Sequence, residues 1–131
     1  RWLQQSRSDL ESAKWLLESG SPFSAQACFQ SHQVVEKCLK GMLFYFCGIS
    51  GQLLCSHEVL ELVDKIREET DELDEVDLQS VTQVSRYYLL TRYPNCQPAN
   101  VVPADAFIKN EAKLAVVAAS RVLERAEKLC S

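Results

Sequence analysis

SPFSAQACFQSHQVVEKCLKGMLFYFCG, residues 21–48, reads as one long helix, and its reading decides the fold. Ser21 can cap the N-terminus, and Pro22 suits the first helical position, where a missing N–H is not needed. Gly48 can end the helix in a left-handed turn. Ala25, Cys28, Phe29, His32, Val35, Leu39, Met42, Leu43 and Phe46 recur at three- and four-residue spacing, which makes one apolar stripe. His32 lies on that stripe, with Glu36 one turn further along. Lys37 and Lys40 follow on an adjacent face. A His and a Glu turned toward packing partners must be satisfied there or cost a few kcal/mol. They read as a buried hydrogen-bonded pair tying this helix to a neighbour, in preference to a proton-transfer pair.

Outward from this helix, the pattern stays helical. A first helix is expected over residues 3–19, with Leu3, Leu10, Ala13 and Leu17 inward. The short break at residues 19–22 makes it antiparallel to the long helix. After a loop over residues 48–56, Ser56 can cap a third helix whose Val59, Leu60, Val63 and Ile66 face inward. Residues 68–77 read as a solvated acidic connection. A fourth helix is expected over residues 75–93, with Val81, Val84, Tyr88 and Thr91 on one face and Pro94 at its end. The last helix runs from about residue 103 or 105 to residue 129, with Phe107, Leu114, Val117, Ala118 and Val122 as core candidates. No strand pattern or internal repeat competes. The expectation is an all-α, up-and-down bundle of about five helices forming one domain over residues 1–131.

Composition narrows the function. A chain of 131 residues can bury roughly two thirds of its unfolded surface, enough for a core without staples. The net charge of −4 argues against a general nucleic-acid binder. Residues 64–77 hold eight acidic side chains against Lys65 and Arg67, so the negative balance is local and leaves room for an anionic ligand elsewhere. The six Cys include no CxxC pair, which points to a reduced, metal-free, cytoplasmic protein; Cys55-Ser56-His57 is the nearest approach to a ligand cluster. No signal peptide or membrane span is legible. GxxxxGK[ST] and GxGxxG are both absent, which excludes a P-loop and a Rossmann site.

QVVEKCLKG at residues 33–41, His57 opening a short amphipathic helix, and Arg92-Tyr93-Pro94 before the last helix occur in an order and spacing that resembles the HEPN family. That resemblance implies a helical bundle associated with nucleotide and RNA chemistry, and a homodimer. Within the family, the wording is similar to a module of a large chaperone-associated protein. An excised module would also fit a chain that starts at Arg1 without Met.

Nuclease members of the family carry a His four to six residues after an Arg late in the fold. Here Arg86 and Arg92 are followed by no His. Without an imidazole to act as general acid or base, metal-independent RNA cleavage is not expected. The basic residues suggest a nucleotide site instead. Arg pairs bidentately with phosphate, and Tyr can stack on a base. Arg86 and Arg92 are the expected phosphate contacts, Lys37 and Lys40 supporting charges, and Tyr88 or Tyr93 the stacking group. The alternative for Arg92 is structural, capping the carbonyls that end the fourth helix. The row Arg121, Arg125 and Lys128 reads as an ordinary solvated face. The function expected is a non-catalytic module that binds a nucleoside triphosphate, ATP or GTP, and dimerises, with chaperone machinery as a partner implied by the resemblance and no cofactor. The alternative is an assembly module with no small-molecule ligand.

Overall fold

Five helices emerge in the computed structural model, which describes residues 2–20, 23–48, 58–85, 87 and 109–130. They are α1 (Trp2–Glu18), α2 (Ser24–Cys47), α3 (Val59–Glu69), α4 (Glu75–Ser85) and α5 (Lys109–Leu129). No strand occurs among the described residues. The all-α bundle expected from periodicity is therefore the fold.

α2 is the central element and packs against each of the other four helices. Its expected stripe is real: Cys28, His32, Val35, Leu39, Met42 and Leu43 are buried. Burial extends beyond the stripe, because Ala27, Val34 and Cys38 on another side are enclosed as well. A helix surrounded on several sides has no continuous solvated face. This is why Lys40, expected on an outer flank, is inside.

α1 lies antiparallel to α2, as the short connection requires. Leu3 approaches Gly41, Ser6 Oγ donates to the Val34 carbonyl at 3.3 Å, and Asp9 meets Lys37. The start of α1 thus lies against the later part of α2, as an antiparallel pair requires. At Gly41 the two backbones come so close that a Cβ would sit 3.1 Å from the Trp2 Cβ. Gly20, with φ 114°, turns the chain after α1. Gly48 ends α2 with φ 76° and ψ −155°, a positive-φ turn that differs from the left-handed helical cap expected. Ser21, Pro22 and Ser56, expected to begin helices, lie outside the described residues.

The remaining helices close the core. Val59, Leu62, Val63 and Ile66 of α3 are buried, whereas Leu60 is exposed, so Leu62 takes the inward place expected of Leu60. α4 buries Val81 and Val84, and Tyr87 just beyond it is fully buried. Along α5, Ala115, Ala118, Ala119, Val122 and Leu123 face the core. Leu114 and Val117, expected inside, are 54% and 57% exposed. The apolar arc of α5 is wider than its neighbours can cover. Phe107, Tyr88 and Thr91 lie outside the described residues.

The acidic connection is more than a solvated run. Asp74 and Asp77 make a reciprocal cap at the start of α4: the Asp74 amide donates to Asp77 Oδ2 and the Asp77 amide to Asp74 Oδ1, each at 2.9 Å. Arg125 of α5 reaches across to both, 2.9 Å from Asp74 Oδ2 and 3.1 Å from Asp77 Oδ2. This fork joins the C-terminal half of α5 to the N-terminus of α4. The two helices are thus antiparallel, since Tyr87 meets Glu111 at the other end.

Candidate functional site

α2 carries a line of polar side chains at i, i+4 and i+8: His32, Glu36 and Lys40. Their relative exposures are 1%, 4% and 5%. Lys40 Nζ donates to Glu36 Oε2 at 3.0 Å. His32 Nδ1 stands 3.9 Å from Glu36 Oε1, beyond hydrogen-bond length. The expected pair is therefore buried, but the direct ionic partner of Glu36 is Lys40. The Trp2 ring lies 5.8 Å from Lys40 Nζ, within cation–π range, and joins α1 to the line.

The energetics of this line depend on its being complete. Two opposite charges taken out of water each lose several kcal/mol of hydration, and only close contact offsets it. Glu36 and Lys40 meet that condition. The helix supplies it cheaply, because residues four apart already face one another with the acidic member on the N-terminal side. A Lys40 ammonium so placed is not an open phosphate contact. It would reach a phosphate only by giving up Glu36.

Lys37 is turned a quarter of the way round the helix and bridges to Asp9 of α1. Arg7 of α1 similarly bridges to Glu127 of α5. Lys37 and Lys40 thus serve different contacts, and the structure does not bring them to one open pocket. Between them on the buried side, Cys38 is fully enclosed, and burial pushes its thiol up to about 12, with smaller opposing and reinforcing contributions from Ser6 and Glu127. Such a thiol is a core residue and not a nucleophile at neutral pH.

A second polar cluster flanks the connection to α5. Tyr87 Oη donates to Glu111 Oε1 at 2.7 Å, and Gln83 Nε2 donates to Tyr87 Oη at 2.6 Å. Burial first, and the bond to Glu111 next, raise the Tyr87 hydroxyl well above its ordinary value. This clasp was not legible as a site. Its signal was one of three Tyr beside Arg86 and Arg92, with nothing in the spacing to single out Tyr87. The four remaining candidates, Arg86, Arg92, Tyr88 and Tyr93, lie outside the described residues, as does His57. Among the described residues no group of three His, Cys, Asp or Glu could hold a metal ion, and no helix is long and apolar enough to cross a membrane.

A central helix with a buried His–Glu–Lys line, wrapped by four others, defines a helical bundle of the type the resemblance implied. Residues 1–129 match the HEPN domain family, and the chain belongs to it. The crystal structure of TT1696 from Thermus thermophilus is similar, with a TM-score of 0.80, 29% identity, and coverage of 97% of this chain and 94% of that one. The crystal structure of ST0689, an archaeal HEPN homologue, shares the fold with a TM-score of 0.74 at 23% identity, covering 99% of this chain and 95% of that one. No curated protein matches the chain.

Proposed function

We propose that this HEPN domain is a non-catalytic module that binds a nucleoside triphosphate, ATP or GTP, and dimerises, within a large cytoplasmic chaperone-associated protein similar to sacsin. One observation carries the non-catalytic part. Arg86 and Arg92 have no His after them, and His32 is 1% exposed on α2 beside Glu36. An imidazole that solvent barely touches is poorly placed to exchange a proton with a scissile phosphate.

Family membership and the side chains flanking Tyr87 support the nucleotide part. Arg86 and Arg92 are the proposed phosphate contacts, with Tyr88 or Tyr93 stacking on the base. Lys37 and Lys40 already have Asp9 and Glu36 as ionic partners, so neither is a proposed phosphate contact. The assembly-only reading is favoured by a different observation, the exposed Leu114 and Val117. Titration with ATP and with GTP, read by amide chemical shifts, separates the two. Saturable shifts that Arg92→Ala weakens, with the helical signal intact, support nucleotide binding. No shift with either nucleotide leaves the assembly role. Single-stranded RNA should stay intact on incubation; cleavage abolished by Arg92→Ala would overturn the non-catalytic reading.

A further inference from the structure

We infer that Tyr87 is a positioning residue of the proposed nucleotide site, held by Gln83 and Glu111 so that its neighbours Arg86 and Tyr88 start from a fixed point; the inference rests on the nucleotide reading above and adds what orients it. Tyr87 is fully buried just beyond α4. Its ring fills the core, and a Phe ring would fill it as well. The hydroxyl does something further. It donates to Glu111 Oε1 of α5 at 2.7 Å and accepts from Gln83 Nε2 at 2.6 Å. Gln83 Nε2 also stands 3.5 Å from Glu111 Oε1, which closes the three groups into a triangle.

The triangle joins two helices. Gln83 precedes Tyr87 by four residues, so one side of it is set by helical spacing. Glu111 lies in the first turn of α5. Residues 88–108, which include Tyr88, Arg92 and Tyr93, run between the two fastened positions in the sequence. The clasp therefore holds the chain on either side of the stretch that carries the proposed contacts. Burial and the bond to Glu111 both raise the hydroxyl above its ordinary value, so it remains a donor throughout the neutral range.

Covalent geometry carries the effect outward. A side chain packed along its ring and bonded at its tip fixes the main chain from which it grows. Arg86 and Tyr88 are bonded to that main chain, each Cα about 3.8 Å from the Tyr87 Cα. On the other side of Arg86, Ser85 Oγ donates to the Thr82 carbonyl at 2.8 Å, so Arg86 has a held neighbour before it and another after it. An Arg and a Tyr anchored in this way lose less freedom when a phosphate and a base arrive, and that saving appears as affinity.

Calorimetric titration with ATP and with GTP, well below the unfolding temperature, tests the assignment. Tyr87→Phe keeps the ring and removes the hydroxyl; it should raise the nucleotide Kd by about tenfold while the helical circular dichroism persists. Glu111→Ala should weaken binding by a similar factor, and the two changes together by no more than about threefold beyond either alone, since both cut one contact. Glu111→Gln still accepts the hydrogen bond and should bind within about threefold of the parent chain. Leu123→Ala is the control: it opens the core about 18 Å along α5 from Glu111, and should destabilise the fold while leaving the Kd within about twofold.

Tyr87→Phe binding as tightly as the parent chain overturns the positioning role and leaves the nucleotide reading standing. So does a loss in Leu123→Ala as large as that in Tyr87→Phe, or a loss in Glu111→Gln as large as that in Glu111→Ala. A parent chain that binds neither nucleotide overturns both. If Tyr87→Phe does not fold, the two Glu111 variants decide: weakening confined to Glu111→Ala supports the role, and equal binding by both overturns it.

Discussion

Glu36 and Lys40 on α2 are 4% and 5% exposed, whereas Leu114 and Val117 on α5 are 54% and 57% exposed. The two regions depart from the usual inside–outside rule in opposite directions. α2 buries charges because neighbours crowd it on several sides, and the charges survive there by facing each other one turn apart. α5 exposes apolar side chains because only α1, α2 and α4 pack against it in number, and its outer arc has no cover within the described chain. A helix is thus read correctly as amphipathic or not only when its neighbours are known. Charge inside costs stability unless it is paired; apolar surface outside costs little until a partner covers it.

The largest effect should come from breaking the buried pair. Glu36→Ala leaves the Lys40 ammonium buried and without its carboxylate, and should cost about 3–5 kcal/mol in urea unfolding. Glu36→Leu combined with Lys40→Met removes both charges and should recover most of that loss. If the single change costs less than about 1 kcal/mol, the line is better hydrated than its burial implies.

Next, two leucines on one helix sharpen the contrast. Leu123 is fully buried and Leu114 is 54% exposed. Leu123→Ala should cost about 2–5 kcal/mol and Leu114→Ala within about 0.5 kcal/mol of nothing, measured on the monomer at low concentration. Equal costs would mean that the outer face of α5 is covered.

A smaller effect concerns the Tyr87–Glu111 clasp. Its hydroxyl is held above the ordinary value near 10, chiefly by burial. A raised folded value means the stabilisation is complete below about pH 10 and is lost as pH rises through the folded value. Tyrosinate absorbance should therefore show one residue that ionises only with unfolding, and Tyr87→Phe should remove that late step. A fully reversible titration of every Tyr by about pH 11 would contradict the clasp.

The smallest effect lies at the acidic cap. The amide of Asp77 donating to Asp74, opposed by some desolvation and aided by Arg125, holds the Asp74 carboxyl below its ordinary value. A lowered folded value means the contribution is present above the unfolded value, near 3.8, and is lost as pH falls toward the folded one. The stability gap between the parent chain and Asp74→Asn should close as pH drops below that value. A gap that persists unchanged in acid would point to packing and not to charge.

Much of this was legible in the chain itself. The stripe through Cys28, Val35, Leu39 and Met42 is a matter of spacing, and spacing is a property of the covalent sequence read at 3.6 residues per turn. The antiparallel α1–α2 pair follows from a connection too short for any other path. The absence of a His after Arg86 and Arg92 is equally a fact of sequence, and the non-catalytic proposal starts from it. Periodicity shows that a face exists without showing what lies against it. Lys40 read as an outer cation because nothing local reveals that α2 is enclosed on several sides; Leu114 and Val117 read as core because nothing local reveals that α5 has an uncovered side. The grip of Arg125 on Asp74 and Asp77 joins residues about fifty positions apart, and only the antiparallel crossing of α4 and α5 brings them together. The helices, their order and the chemistry available to them are written in the chain. Which of those groups are spent on holding the bundle was settled only when the helices packed, because burial is a property of neighbours and not of spacing.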